Sequence, residues 1–384
     1  MDYIGFSNNH GIGRYMIYRD FGKTGKRVSA LGFGGMRFKD IDNTDACVEM
    51  MLEAAKAGVN YFDTAPGYFG AKSEKVFGQA FREFKRLNIP FYCATKTAKS
   101  DEKSIRKEIE HQLRRLHVDA VDFYHIWCII SLDDWRKRVK KGVLDTFRKL
   151  KDEGLINHIC VSSHLIGEEI KELLMEGVFE GVLFGYSAYN FNARRAAFQA
   201  IATHKLGCAV MNPLGGGIIP QNQKIFDFVR TRTDETVLEA ALHFIFSHKE
   251  ISVALVGFED LRQIRESLKA VETYHDIPDD EIERIRNSLS DSFRSLCTGC
   301  QYCDNCPEGI AIPKLMDAYN IKKLSGRDYA VLDRLKWHWG LPLSEAEKCV
   351  ECGQCEEQCT QHLPIIERLQ EIAAMRQKSK SKRS

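Results

Sequence analysis

Four residues in the first third of the chain carry groups suited to delivering a proton to a developing alkoxide. Asp63 closes the run Tyr61-Phe62-Asp63, and Tyr68 follows five residues on. Lys96 closes Cys93-Ala94-Thr95-Lys96, and His125 closes Asp122-Phe123-Tyr124-His125. Adding hydride to a carbonyl creates an alkoxide that needs an acid. A free phenol, with a pKa of about 10, is a poor acid near neutrality. A neighbouring ammonium favours the phenolate and lowers that value. A carboxylate keeps the lysine charged and in place, and a histidine across the pocket can orient the substrate oxygen and help shuttle the proton. Each residue alone has an ordinary reading, as a helix cap, a rim lysine, a rim tyrosine or a structural histidine. The four together, at the ends of three consecutive apolar runs, point to catalysis.

Cysteines form the second chemical signal. Of the thirteen, eight lie in Cys297-x2-Cys300-x2-Cys303-x2-Cys306-Pro307 and Cys349-x2-Cys352-x2-Cys355-x3-Cys359. Short Cys-x2-Cys loops let successive thiolates converge on one metal centre. The second run has the spacing of a bacterial ferredoxin run with Thr360 in place of the proline. The first keeps the proline and is one residue shorter. Two [4Fe–4S] clusters are expected, Cys297, Cys300 and Cys303 sharing one with Cys359, and Cys349, Cys352 and Cys355 sharing the other with Cys306. One cluster with four spare thiols, or structural four-cysteine zinc sites, are the alternatives. Cys47, Cys93, Cys128, Cys160 and Cys208 lie in or beside expected elements and read as packing residues.

The elements that must position these groups follow from periodicity. From Val28 to about Thr273, short apolar runs alternate with amphipathic stretches. Strands are expected at Ala30–Gly34, Val59–Asp63, Phe91–Thr95, Val121–His125, His158–Ser162, Val182–Tyr186, Cys208–Met211 and Val253–Val256. Val48, Met51, Leu52 and Ala55 recur at helical spacing behind Asn43 or Thr44. Ile105, Ile109, Leu113 and Leu116 do so behind Ser100 and Asp101. Eight βα units in one run argue for an α/β fold, a (β/α)8 TIM barrel, with an open doubly wound sheet as the alternative. Arg19–Lys26 reads as a hairpin plugging the barrel bottom. A last helix, from about Asp280 to Arg294, leads to the cysteine-rich region. Its segment from Lys314 to Lys348 reads as helical, which suggests a mainly helical ferredoxin-like domain. The expected organisation is a flexible tail at 1–15, the barrel at 16–292, the iron–sulfur domain at 293–370 and a basic tail at 371–384, ending in the unstructured Lys378–Ser384.

A net charge of +2 gives no global field for nucleic acid or an anionic membrane. No apolar run reaches the roughly 18 residues of a membrane span, and Met1–Tyr15 lacks the pattern of a secretory signal. A cytoplasmic location is therefore expected, where cysteines stay reduced.

The stretch Asp63-Thr64-Ala65-Pro66-Gly67-Tyr68-Phe69-Gly70, followed by Ser73-Glu74, closely resembles the aldo-keto reductase signature. So do Thr24-Gly25 with Val28-Ser29, the Lys96 and His125 contexts, and Tyr189-Asn190. The resemblance covers about residues 16–290, and with the cysteine runs the whole looks like the iron–sulfur-containing branch of that family. It implies a barrel in which Tyr68 is the acid, supported by Asp63, Lys96 and His125. It also implies a nicotinamide cofactor, NADP(H) or NAD(H), lying across the strand ends, and a small carbonyl or alcohol substrate.

Cofactor positions depart from the family pattern. Ser162-Ser163 stands where Ser-Asn is usual, Tyr186 where a glutamine often holds the carboxamide, and Met211 where a tyrosine stacks on the nicotinamide. Asn212-Pro213-Leu214 resembles the segment before the pyrophosphate loop, and the glycines at Gly215, Gly216 and Gly217 allow close backbone approach to a pyrophosphate. Gly257-Phe258-Glu259 replaces a Gly-x-Arg pattern tied to the 2′-phosphate of NADP. A carboxylate there repels that phosphate, whereas Arg262 and Arg265 could restore its binding, so the choice of nicotinamide stays open. Glu266 matches the adenine-contacting glutamate. A hydride carries two electrons and a [4Fe–4S] centre passes one. Three readings follow: a nicotinamide-dependent carbonyl reductase with structural or sensing clusters, a flavin- or cluster-linked electron-transfer oxidoreductase with an electron-transfer partner, and a metal-stabilised sensor or binding protein without turnover.

Overall fold

The structure is a computed structural model describing residues 3–6, 14–165, 167–288, 295–297 and 299–381. Eleven strands are present among the described residues: β1 (Tyr3–Phe6), β2 (Arg14–Asp20), β3 (Arg27–Ser29), β4 (Leu31–Gly34), β5 (Tyr61–Asp63), β6 (Tyr92–Thr97), β7 (Val121–Ile129), β8 (Ile156–Ser163), β9 (Gly181–Gly185), β10 (Gly207–Met211) and β11 (Val253–Gly257). The last eight close a parallel barrel in the order β10-β11-β4-β5-β6-β7-β8-β9. Each of the eight expected apolar runs became one of them.

Helices follow the strands: α1 (Thr44–Lys56), α2 (Lys72–Arg86), α3 (Glu102–Leu116), α4 (Leu132–Lys140), α5 (Val143–Asp152), α6 (Gly167–Met175), α7 (Arg195–His204), α8 (Ile218–Gln221), α9 (Val237–Phe246), α10 (Leu261–Glu272) and α11 (Asp279–Asn287). Their starts are chemically marked. Asn43 accepts from Ala46 N ahead of α1, Asp101 accepts from Ser104 N ahead of α3, and Thr236 with Glu239 forms a reciprocal capping box at α9.

The floor of the barrel is closed by the β2–β3 hairpin. Phe21, at its turn, is wholly buried among Tyr61, Phe123, Cys160, Leu183 and Ala209 from the strands. Its ring centre is 4.3 Å from that of Phe123. The plug fits because β10 begins with glycine. A Cβ on Gly207 would come within 2.0 Å of the Phe21 ring. Truncating a buried phenylalanine of this kind to alanine costs about 3–5 kcal/mol.

Two compact units divide the chain, one of Met1–Leu214 with Phe226–Glu283, the other of Gly215–Ile225 with Arg284–Ser384. The second has its own apolar core. It is built on α12 (Ile312–Ser325), α13 (Asp328–Asp333), α14 (Gln354–Glu357) and α15 (Ile365–Ser381), and includes Leu315, Met316, Tyr319, Leu335 and Leu369. The expected boundary at 292/293 and the last residues of the helix expected to Arg294 lie outside the described residues.

Both ends differ from expectation. Tyr3–Phe6 is a strand paired antiparallel with Arg14–Ile17 of β2, where a flexible tail is expected. At the other end, Ile365, Leu369, Ile372 and Met375 form one buried stripe, so α15 passes through residue 370 and runs to Ser381 instead of ending in an unstructured tail. Among the described residues no helix is long and apolar enough to cross a membrane.

Candidate functional site

Strand register brings the first group together. Asp63 pairs with Ala94 across β5 and β6, and Lys96 pairs with His125 across β6 and β7. Lys96 Nζ donates to Asp63 Oδ1 at 2.6 Å and to the Thr64 carbonyl at 2.8 Å. These bonds use two of its three donors. Both side chains of the ion pair are almost fully buried. Burial pushes the Asp63 carboxyl up and the Lys96 amine down, and their contact opposes both shifts. His125 is fully buried, and its pKa falls to about 3, from burial first and the Lys96 charge second. It is a neutral imidazole at physiological pH. Neither of its ring nitrogens, nor Asp63 Oδ2, makes a hydrogen bond of normal geometry among the described residues.

Tyr68 projects from the loop before α2. Three successive left-handed residues, Phe69, Gly70 and Ala71, shape that loop, and two of them are strained there for want of a glycine. The Tyr68 ring lies 5.3 Å from Lys96 Nζ and meets Trp127 edge-on at 6.0 Å. Burial raises the phenol pKa, with Asp63 and Cys128 adding to the rise. The ammonium expected to lower it is turned toward Asp63 and Thr64 instead. The cation acting against the rise is Arg37, whose side chain lies over Gly257, so that an added Cβ there would come within 2.5 Å of Arg37 Cγ.

Lys96 is held from behind by a buried polar chain. Gln112 of α3 donates to the Lys96 carbonyl at 2.8 Å and to Glu74 Oε1 at 2.9 Å, and accepts from the Tyr124 hydroxyl at 2.8 Å. Glu74 also accepts from Thr95 at 2.8 Å and pairs with Arg115 at 2.6 Å. Ser73 bonds Thr64 and the Gly35 carbonyl, both at 2.8 Å. Arg37, Gln112 and Tyr124 escaped the sequence reading. Gln112 and Tyr124 sit where an amphipathic helix and a strand show nothing unusual, and only the pairing of β6 with β7 brings them under Lys96.

The candidate cofactor positions divide. At the end of β8, the buried Ser162 Oγ has no partner among the described residues, as a donor or acceptor kept for a ligand amide would be. Ser163 is engaged, accepting from Leu165 N at 3.1 Å. Met211 is partly exposed, Pro213 buried and Leu214 partly exposed. Tyr186 is a correction. Its ring is buried against Phe198 of α7 and Phe244 of α9, and its hydroxyl meets His248 Nε2 at 3.0 Å. It follows the last residue of β9, and its side chain points into the helical layer, not the barrel mouth. Gly215, Gly216 and Gly217 all have positive φ, a conformation whose successive N–H groups form an anion cradle. They belong to the second unit, where Arg334 Nη2 donates to Gln221 at 2.8 Å. Beyond Gly257, Glu259 is exposed. Arg262 pairs with Glu266 at 2.7 Å, and Arg265 lies 3.5 Å from Glu53.

In the second unit the eight clustered cysteines fall into two sets. Cys297, Cys300, Cys303 and Cys359 act on one another electrostatically, and Cys300 Sγ is 3.2 Å from the Thr360 hydroxyl. Cys306, Cys349, Cys352 and Cys355 line one cavity of about 490 Å³, whose wall Cys303 also reaches. Left-handed residues inside the Cys-x2-Cys loops (Gly299, Gln301, Glu351 and Gly353) turn the thiols inward. Gly299 N, Glu351 N and Leu363 N donate to the sulfurs of Cys297, Cys349 and Cys359 at 3.3–3.4 Å. Burial raises the Cys297 thiol to about 12 and the Cys355 thiol to about 11. Asn320 clamps the first loop, accepting from Cys297 N and donating to Cys297 O, both at 2.8 Å. Buried Arg368 donates to the Ser295 carbonyl at 2.7 Å. Convergent thiols with backbone N–H groups aimed at sulfur are the donor set that an iron–sulfur cluster needs.

A (β/α)8 barrel joined to a helical, cysteine-rich unit is the class defined by this geometry. Residues 30–290 match the aldo/keto reductase family model, and residues 296–377 match a 4Fe-4S dicluster domain. The chain belongs to the aldo/keto reductase family, an oxidoreductase family, and carries a C-terminal 4Fe-4S domain. It is 27% identical to L-galactose dehydrogenase of Arabidopsis thaliana over 285 residues, 66% of this chain and 87% of that protein. With NADH-specific methylglyoxal reductase of Escherichia coli (strain K12) it shares 25% identity over 209 residues, 50% of this chain and 63% of that protein. The holo form of aldo-keto reductase AKR11C1 from Bacillus halodurans has the same fold, with a TM-score of 0.61 at 24% identity, covering 72% of this chain and 97% of that one.

Proposed function

We propose that the barrel reduces a small carbonyl compound, or oxidises the corresponding alcohol, with NAD(P)(H), and that the second unit carries two [4Fe–4S] clusters. A bound nicotinamide supplies or accepts the hydride. The Tyr68 hydroxyl gives its proton to the substrate oxygen. Arg37 is the cation that acts on the phenol, and Lys96, held by Asp63 and the Thr64 carbonyl 5.3 Å from the Tyr68 ring, keeps its third donor for the phenolate left behind. Neutral His125 donates an N–H to the same oxygen, and Trp127 bounds the pocket. Ser162 is the residue suited to hold the nicotinamide amide. The exposed Glu259 carboxylate, with Arg262 and Arg265 already beside acidic partners, favours NADH over NADPH. The buried Asp63–Lys96 contact, beside Tyr68 and the buried His125, carries this reading.

The cysteine sets support ligation of one cluster by Cys297, Cys300, Cys303 and Cys359 and of the other by Cys306, Cys349, Cys352 and Cys355. Thiols that need a reducing compartment fit a cytoplasmic protein. The buried Arg368 cation near Cys297 and Cys359 favours a second reading, in which the clusters pass electrons to a partner, with a flavin in the barrel splitting the hydride.

The test is Tyr68→Phe, assayed anaerobically with small aldehydes and each nicotinamide. We expect turnover to fall about 10³-fold, with nearly unchanged cofactor affinity. Unchanged turnover removes Tyr68 as the acid. Flavin absorption bands in protein purified without oxygen would move the assignment to the second reading. Absence of turnover in the parent protein, with metal bound, would move it to a sensor.

A further inference from the structure

A third ligand set lies in the helical layer of the barrel, on segments that carry none of the strand-end groups. Glu235 stands immediately before the N-cap of α9, His243 is two turns into that helix, and His275 is in the turn after α10. Glu235 Oε2, His243 Nδ1 and His275 Nε2 all lie within 4.8 Å of one another. Glu235 Oε2 is 3.1 Å from His243 Nδ1 and 3.8 Å from His275 Nε2. Glu235 and His243 are buried, and the His275 side chain is 23% exposed.

Hydrogen bonds around the set orient its lone pairs. His243 Nε2 faces the Ala270 carbonyl at 2.9 Å. A carbonyl only accepts, so Nε2 donates to it, and Nδ1 is the nitrogen turned to Glu235 Oε2. Nδ1 and Oε2 in contact inside the protein call for a positive centre between them, either a proton or a metal ion. The carboxylate cannot swing away. Its Oε1 is held by Thr231 N at 2.6 Å, Arg232 N at 2.9 Å and the Thr231 hydroxyl at 3.2 Å. A second proton on His243 would satisfy two of the three groups. The third nitrogen, His275 Nε2, is 2.9 Å from the Thr231 hydroxyl and within 4.8 Å of the other two ligand atoms, so one metal ion can reach all three.

We propose that Glu235, His243 and His275 bind a borderline divalent cation, zinc foremost. Two imidazoles and a carboxylate suit zinc, whose bonds of about 2.0–2.1 Å set tetrahedral ligand atoms about 3.3 Å apart. The observed 3.1 and 3.8 Å bracket that spacing. The backbone carbonyl on the far nitrogen of His243 is the usual outer partner of a ligating histidine. Water completes the shell on the exposed side of His275, where the Thr231 hydroxyl, 2.9 Å from Nε2, can bond it. Such an ion ties α9 to the turn after α10 and braces the last βα unit. Its role is structural.

The experiment uses full-length protein with its clusters loaded, incubated with one equivalent of Zn²⁺ and desalted. Zinc K-edge absorption separates this site from cysteine ligation, since N/O ligands lie at about 2.0–2.1 Å and thiolates at about 2.3 Å. We expect one zinc per chain in an N/O shell, and a rise in melting temperature on adding zinc. In His275→Asn, at a partly exposed position, retained zinc should drop by at least about tenfold and the rise should vanish. Carbonyl turnover should not change. No retained zinc, zinc in a sulfur shell only, or equal retention in His275→Asn would each overturn the site and leave a protonated Glu235–His243 pair. None of these outcomes touches the Tyr68 assignment.

Discussion

The barrel mouth and the cysteine unit solve the problem of buried polar groups in opposite ways. At the mouth, Lys96 has a carboxylate at 2.6 Å, a backbone carbonyl at 2.8 Å and a polar chain through Gln112 and Glu74 behind it. The fold itself compensates the charge before any ligand arrives. In the second unit, thiols are gathered and their ionisation is discouraged by burial. Buried Arg368 has no carboxylate hydrogen-bonded to it among the described residues, and its Nη1 has no partner there. An anionic centre among the sulfurs, as proposed, would compensate that cation. One site is preorganised by secondary structure, and the proposed clusters would organise the other.

Iron removal should break the comparison most visibly. Because Cys297, Cys303 and Cys359 are part of the second unit's own core, chelating the clusters should abolish its cooperative unfolding transition, while the barrel transition persists. Differential scanning calorimetry before and after anaerobic chelation checks this. Two transitions surviving chelation would mean that the unit folds without metal. Next in size is Lys96→Met. It strands Asp63 in a buried site, and breaking such a pair costs about 3–5 kcal/mol. The loss should appear in the barrel transition alone, and Asp63→Asn combined with Lys96→Met should recover part of it.

His125 gives a pH signature. Its folded pKa of about 3 lies well below the unfolded value of 6.5. Above pH 6.5 the ring is neutral in both states and contributes no slope. As pH falls from 6.5 toward 3, the unfolded state takes a proton that the folded state refuses, and stability drops by up to about 1.4 kcal/mol per pH unit. Barrel melting measured from pH 7.5 to 5 should steepen accordingly, and His125→Asn should lessen the slope by one group's share, since His164, also buried with a pKa pushed down to about 3, remains. A parent curve no steeper than the variant's would show that the ring protonates in place.

Much of this was legible in the residues. The eight strands announced themselves as apolar runs because a parallel barrel buries both faces of each strand. The four mouth residues were visible because each ends or follows a run. The two cysteine runs were visible in spacing alone. What stayed hidden depends on direction. Tyr186 follows β9 as Asp63 ends β5, yet its ring turns outward to His248 and Phe244. Arg37 looks like a loop cation until Gly257 on β11 leaves room for its stem. Lys96 was expected to serve the phenol, and its two shortest bonds go to Asp63 and Thr64 because β5 and β6 are neighbours.

Arg368 was equally hidden. Between Glu367 and Glu371 on a charged helix it reads as a solvent-facing residue, and it is 2% exposed. It stacks on Tyr319 at 4.9 Å, and its charge acts on Cys297 and Cys359. If those sulfurs hold a cluster, the guanidinium favours the reduced, more negative state and raises the potential. Arg368→Met keeps much of the side-chain volume and removes the charge. We expect the potential of one cluster to fall by roughly tens of millivolts, while the other shifts less. An EPR-monitored redox titration measures both. Equal shifts would mean a field spread over the whole unit. No shift would mean that the buried cation only secures the Ser295 carbonyl, and the contrast with Lys96 would then reduce to hydrogen bonding.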